Sequence, residues 1–165
     1  MAGPARRRRG FTLIEVLIVA AIIGILVAMA VGNFRSVMNR ARQKRTMADM
    51  RTLALGLESY ETDRNAFPAS AGFALPSGLS LPTATIGGIV TEISPTYLRA
   101  VPMLDGWNSW FVYGTDTSRG NYILTSNGAD GIAETSPPYG LTHSFDADII
   151  LVNGSFVQYP EGIQK

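Results

Sequence analysis

Glu15 is the one charged residue in the 21-residue apolar run from Phe11 to Val31. A carboxylate four residues into a hydrocarbon-spanning helix costs about 2.5–3.5 kcal/mol on insertion scales unless it is hydrated or paired. Hydration requires a position close to the interface. Pairing requires a cation at similar depth, and none lies inside the run; Arg6, Arg7, Arg8 and Arg9 all precede it. A cut between Gly10 and Phe11 would create one, because the new α-amino group is cationic near neutral pH. Within one chain the amine at the helix tip and Glu15 lie a full turn apart, which disfavours the pair. Between two chains staggered by about one turn it forms readily. The chemistry indicated is charge neutralisation between copies, and hence polymerisation.

A second group of capable residues lies near the C-terminus. Ser126-Asn127-Gly128-Ala129-Asp130-Gly131 and Phe145-Asp146-Ala147-Asp148-Ile149 set hard oxygen donors around glycine turns. Calcium takes six to eight such oxygens from carboxylates and carbonyls. Asp and Gly are equally the default residues of turns, and the spacing is not that of an EF-hand loop. Asp146 and Asp148 share a face in a strand, or converge on one ion in a loop. Catalysis has little to work with: there is no cysteine and a single histidine, His143. Its neighbour Ser144 is adjacent in sequence, a relation that rarely makes a catalytic pair. No enzyme activity is expected.

The elements that carry these residues follow from composition and period. The chain has 165 residues, 46% hydrophobic and 16% charged, against about 25% charged for an average soluble domain. The formal net charge of +1 hides an asymmetry. Residues 66–165 carry three basic and eight acidic side chains, a net charge of −5. A nucleic-acid-binding domain is not expected from such a head. As a helix, the apolar run spans roughly the 30 Å hydrocarbon core of a bilayer. Its four-arginine flank keeps the N-terminus cytoplasmic, so the rest of the chain is exported. The run is too long for a secretory signal and is expected to stay in the membrane.

Beyond it, Phe34, Val37, Met38, Ala41, Met47, Met50, Leu53, Ala54, Leu57 and Tyr60 recur at helical spacing. One helix from about Phe11 to Asp63 is predicted, ended by Asn65 and Pro68. Arg35, Arg40, Arg42, Lys44 and Arg45 cluster past the apolar run, where lipid headgroups or acidic surfaces of neighbouring subunits are the expected contacts. Residues from Ala66 to Thr96 read as irregular chain with a short helix or strand at Ile86–Ile93. Trp110–Tyr113 and Asn121–Thr125 read as strands joined by Gly114–Gly120. Ile149–Val152 and Ser155–Gln158 flank Asn153-Gly154, a strong hairpin signal. The fold class predicted is α+β, a long N-terminal helix packed by a small antiparallel sheet. Met47 and Met50 are expected to fill the core beneath that sheet.

Gly10-Phe11-Thr12-Leu13-Ile14-Glu15, continuing through Ala21-Ile22-Ile23-Gly24-Ile25-Leu26 behind a basic leader, resembles the type IV pilin and pseudopilin superfamily. The resemblance implies a leader, residues 1–10, removed by an inner-membrane prepilin peptidase that also methylates the Phe11 amine. It implies that Glu15 neutralises a neighbouring subunit's N-terminus during filament assembly. The implied divisions are an assembly helix over 11–32, its amphipathic continuation over 33–64 and a globular head over 65–165. Gly32 stands where many members have a helix-kinking proline.

Asp105-Gly106-Trp107-Asn108 and the two Asp-containing stretches resemble the head of the major pseudopilin of type II secretion systems. There a calcium ion takes the place of the disulfide of many type IV pilins, in keeping with a cysteine-free chain. Carried over by position, Ser126, Asp130, Asp146 and Asp148, with a backbone carbonyl near Leu124, are the implied ligands. The insertion-like Thr135–Ser144 departs from that pattern. The partners implied are further copies of the chain, prepilin peptidase, an inner-membrane assembly platform and minor pseudopilins. The implied location is a single pass of the bacterial inner membrane with a periplasmic head, then a filament. A type IV pilus pilin is the alternative, and a monomeric membrane-anchored binding module the remote one.

Overall fold

The computed structural model describes residues 10–70, 84–135 and 139–164. The leader up to Arg9, residues 71–83 of the irregular stretch, and 136–138 of the Thr135–Ser144 insertion lie outside them. The chain divides into two compact units at Val37.

Helix α1 spans Leu13–Arg64, within a residue or two of the stretch predicted. Thr12 caps it: its Oγ1 accepts the Glu15 backbone N–H at 3.3 Å, and its carbonyl accepts that of Val16 at 3.4 Å. Thr12-Leu-Ile-Glu15 is thus the Thr-x-x-Glu pattern of a helix start, in which the threonine hydroxyl satisfies an orphan amide. Helical backbone continues through Gly32. Asn65 ends α1 at φ 54, its N–H donating to the Glu61 carbonyl at 2.7 Å. In the first unit every large apolar side chain from Leu13 to Met29 is 47–83% exposed. This part of α1 is apolar all round, and none of its large side chains is buried.

In the second unit, Met50, Leu53, Ala54 and Leu57 form the buried face of α1. Against them pack Tyr113, Tyr122, Leu124, Ile149 and Leu151 from one face of a sheet. A 3-10 turn, Ile86–Ile89, runs into the short helix α2, Val90–Ile93, and buries Ile86, Ile89 and Ile93 in the same core. Met50 is the fully buried methionine expected; Met47 packs at the edge of the cluster.

The sheet has five strands: β1 (Val112–Thr115), β2 (Tyr122–Ser126), β3 (Gly140–Thr142), β4 (Ile149–Val152) and β5 (Ser155–Pro160), in the order β1-β2-β4-β5-β3. Four pair antiparallel, in register Tyr113↔Leu124, Leu124↔Leu151 and Leu151↔Phe156. β3 corrects the expectation of an antiparallel sheet, because it runs parallel to β5 with Leu141 opposite Tyr159. Three residues carry no alternation long enough to read as a strand. Their place is fixed tertiarily, by Gln158 on β5, whose Oε1 accepts the Tyr139 N–H at 3.1 Å. The Asn153-Gly154 turn adopts positive φ at both residues (46 and 78), as a two-residue hairpin loop requires.

Candidate assembly and cation sites

At the N-terminal end, Gly10 has open space where a side chain would stand, and Phe11 is 77% exposed. The Gly10–Phe11 bond therefore precedes the helix cap free of packing, accessible to a peptidase. Glu15 falls in the first turn of α1, where the helix dipole favours a negative charge by about 0.3–1 kcal/mol. That turn lies inside the helix predicted from the sequence and keeps the carboxylate at the N-terminal end of α1, about one turn from Phe11.

At the other end, the structure brings the two Asp-containing stretches together. The Ala129 N–H donates to the Phe145 carbonyl at 2.9 Å. Gly128 lies against the Asp146 and Ala147 carbonyls at φ 65, a conformation and an approach that only glycine fits. A Cβ there would stand 2.5 Å from the Asp146 carbonyl oxygen. Gly128→Ala is expected to cost about 2 kcal/mol or more, read as a lower denaturation midpoint at unchanged m-value.

Asp148 is the centre of this cluster. It is fully buried; its Oδ2 accepts the Glu134 N–H at 3.0 Å, and its Oδ1 has no partner. Burial, reinforced by the Glu134 and Asp130 charges and opposed by that N–H, pushes its carboxyl up to about 6. Asn127 Oδ1 is a second buried oxygen without a partner. Gln158 Nε2 holds the assembly from below, donating to Glu134 Oε2 at 2.7 Å and to the Asp148 carbonyl at 3.0 Å.

The other expected ligands are placed differently. Asp130 Oδ1 accepts the Ile132 N–H at 2.9 Å. Asp146 is exposed, two residues from buried Asp148 in a bent segment between β3 and β4. Ser126 turns to Asp105, donating its Oγ to Oδ2 at 2.6 Å. Leu124 sits mid-strand in β2, paired with Tyr113 on one side and Leu151 on the other. Among the described residues no three carboxylate or imidazole side chains stand close enough to hold a metal ion by themselves. A cation here would take amide and carbonyl oxygens as well, as calcium does.

Comparison with known families joins the two ends. The prokaryotic N-terminal methylation motif matches residues 5–31, and the type II secretion system protein G domain matches residues 33–140. The chain belongs to the type II secretion system protein G family. It is 28% identical over 144 residues to the type II secretion system core protein G of Klebsiella pneumoniae, covering 82% of this chain and 94% of that one. To the core protein G of Pseudomonas aeruginosa it is 30% identical over 131 residues, 76% and 87% of the two chains. To that of Aeromonas hydrophila it is 30% identical over 142 residues, 82% and 92%. A long N-terminal helix packed by a small mixed sheet is a pilin-like α+β fold.

Within this protein G framework, sequence reasoning missed Asp105, Asn127, Glu134 and Gln158. Asp105 organises the Asp105–Ser109 turn, its Oδ1 accepting the Trp107 and Ser109 N–H groups at 2.9 Å each. That turn docks on α1, where the Gly106 N–H donates to Thr46 Oγ1 at 2.9 Å. Asp105 and Asn127 stood inside stretches already singled out. Glu134 and Gln158 carry no local signal: strand pairing brings Gln158 to the cluster, and Glu134, in a loop, is held there by its N–H to Asp148 Oδ2 and by Gln158.

Proposed function

We propose that this chain is the major subunit of a type II secretion pseudopilus, a filament that drives protein export. The supporting observation is the first part of α1: its large apolar side chains from Leu13 to Met29 are all exposed, with an acid in its first turn beside an uncovered Gly10–Phe11 bond. Such a helix needs a bilayer first and sister helices afterwards. The helix is long and apolar enough to cross a membrane. Residues 1–10 leave as a leader, and prepilin peptidase cuts at Gly10 and methylates Phe11. Residues 11–32 and 33–64 then pack with other copies while the head, 65–165, stays periplasmic. An assembly platform and minor pseudopilins act on it there. Electron microscopy of sheared fibres, with secretion assayed on deletion, tests the reading. Loss of exoprotein export is expected; intact export with lost twitching would instead identify a surface pilus.

The head, in this reading, binds calcium. Asp148 Oδ1 and Asn127 Oδ1 are buried acceptors with no donor, and Asp148 lies within reach of the Glu134 and Asp130 charges. Such oxygens fit a cation better than they fit water-free protein. Asp130, Asp146 and Asp148 are the carboxylates nearest in the chain to supply it. Ser126 would contribute by anchoring the Asp105 turn or, released from Asp105, by its oxygen.

A further inference from the structure

The C-terminal segment returns to α1. After β5 ends at Pro160, the Glu161 N–H donates to the Thr142 carbonyl at 3.2 Å, and Gly162 turns the chain at φ 71. Gln164 then buries its side chain, its Nε2 donating to the Thr142 and Glu161 carbonyls at 2.8 and 2.9 Å. Its Oε1 accepts from Nε2 of Gln43, a buried residue of α1, at 3.5 Å. This segment lies past residue 140, where the protein G match ends.

Between α1 and the segment is a cleft of about 370 Å³. Small-molecule sites have volumes of about 300–1,000 Å³. On the α1 side stand Arg40 and Lys44, one turn apart on one helix face and both exposed. On the other side stands Glu161, also exposed. Neither base comes within 4 Å of Glu161 or of any other acid among the described residues, where the one ion pair is Arg45 with Asp49. The cleft therefore has a basic wall and an acidic wall that do not neutralise each other, with the neutral amides of Gln43 and Gln164 beside them.

We propose that this cleft takes the phosphoethanolamine headgroup of a phospholipid, with the phosphate on Arg40 and Lys44 and the ammonium on Glu161. The inference rests on the membrane-anchored state of the reading above. A plain anion satisfies the bases but is repelled by Glu161, and a metal cation does the reverse. A zwitterion whose two charges are joined by an ethylene link meets both walls at once. Arginine forks onto phosphate oxygens, and lysine adds a point charge. A lipid is favoured over a free solute because Arg40 follows Val31, the last residue of the apolar run, by only nine positions. Long basic side chains so near a membrane span reach for its interface.

The full-length chain in detergent is titrated with phosphatidylethanolamine, phosphatidylglycerol and phosphatidylcholine of the same short acyl chains, and bound lipid is counted by native mass spectrometry. One phosphatidylethanolamine is expected to be held roughly tenfold more tightly than either of the others. Phosphatidylglycerol lacks the ammonium, and phosphatidylcholine has no N–H to donate to Glu161. Arg40→Gln with Lys44→Gln is expected to abolish that retention at an unchanged lipid-free melting temperature, because both side chains are exposed. Glu161→Gln is expected to bring phosphatidylethanolamine down to the level of phosphatidylglycerol. Equal retention of the three lipids by the native chain overturns the site, as does a preference that survives Glu161→Gln. Stronger retention of phosphatidylglycerol overturns it too, since the bases then act by anionic attraction alone. Free phosphoethanolamine bound as tightly as the lipid also overturns it, assigning the cleft to a soluble ligand. The membrane reading is scored separately by cell fractionation. A chain found wholly in the soluble fraction overturns that reading and this site with it, whereas a membrane-bound chain without headgroup preference overturns the site alone.

Discussion

Replacing Glu15 by leucine is expected to abolish fibre formation while membrane insertion and leader removal proceed as in the native chain. Insertion becomes easier, not harder, because the substitution removes a charge that costs about 2.5–3.5 kcal/mol in the hydrocarbon. Cleavage is untouched because Gly10 and Phe11 lie before the helix cap and make no packing contacts that Glu15 supports. The capping hydrogen bond is to the Glu15 backbone N–H, which any side chain retains. What disappears is the partner of the Phe11 amine. A carboxylate and an ammonium 4 Å apart attract by about 4 kcal/mol at an effective dielectric of 20. Repeated at every subunit, its loss is decisive for a helix core otherwise held by non-directional apolar packing. Leader removal by mass shift and fibres by electron microscopy are scored on the same membranes. Normal fibres from Glu15→Leu would refute the pairing. Glu15→Asp keeps the charge but draws it back by one methylene, and is expected to give intermediate yield.

How much of this was legible beforehand depended on range. The helix was readable almost to the residue, because its signal is local: an uninterrupted apolar run, a stripe at Met47, Met50, Leu53 and Leu57, and a stop at Asn65. The hairpin at Asn153-Gly154 was readable for the same reason, since two residues at positive φ dictate the loop. β3 was not readable, because Gly140–Thr142 is a strand only through what Gln158 and β5 offer it. The cation cluster divided along the same line. Asp130, Asp146 and Asp148 could be singled out as oxygen-rich turns, but which of them is buried and left short of a partner is a property of packing. So is the diversion of Ser126 to Asp105, 21 residues away in sequence. Glu15 was legible as a misplaced charge, because a lone carboxylate in an apolar run stands out in the sequence itself.

Chelation is expected to lower the melting temperature of the head by about 10 °C and to raise its protease sensitivity in the detergent-solubilised full chain. A ligand held at a hundred times its dissociation constant stabilises by about 2.7 kcal/mol, and in a domain of this size each kcal/mol moves the midpoint by a few degrees. The pH dependence supplies a second, independent signature. In the metal-free protein Asp148 titrates near 6, against 3.8 when unfolded, because folding buries the carboxylate near Glu134 and Asp130. Between those values the folded state holds more protons than the unfolded one. Stability in chelator therefore falls as pH rises from about 4 to about 6 and levels off above. Calcium binds the ionised form and removes that fall. Asp148→Asn keeps the shape and discards the charge, so in chelator at pH 7 it is expected to melt above the native chain and to gain nothing from calcium. A native melting curve that EDTA leaves unmoved at pH 7 would remove the cation from the head. The orphaned Asp148 and Asn127 oxygens would then need another partner.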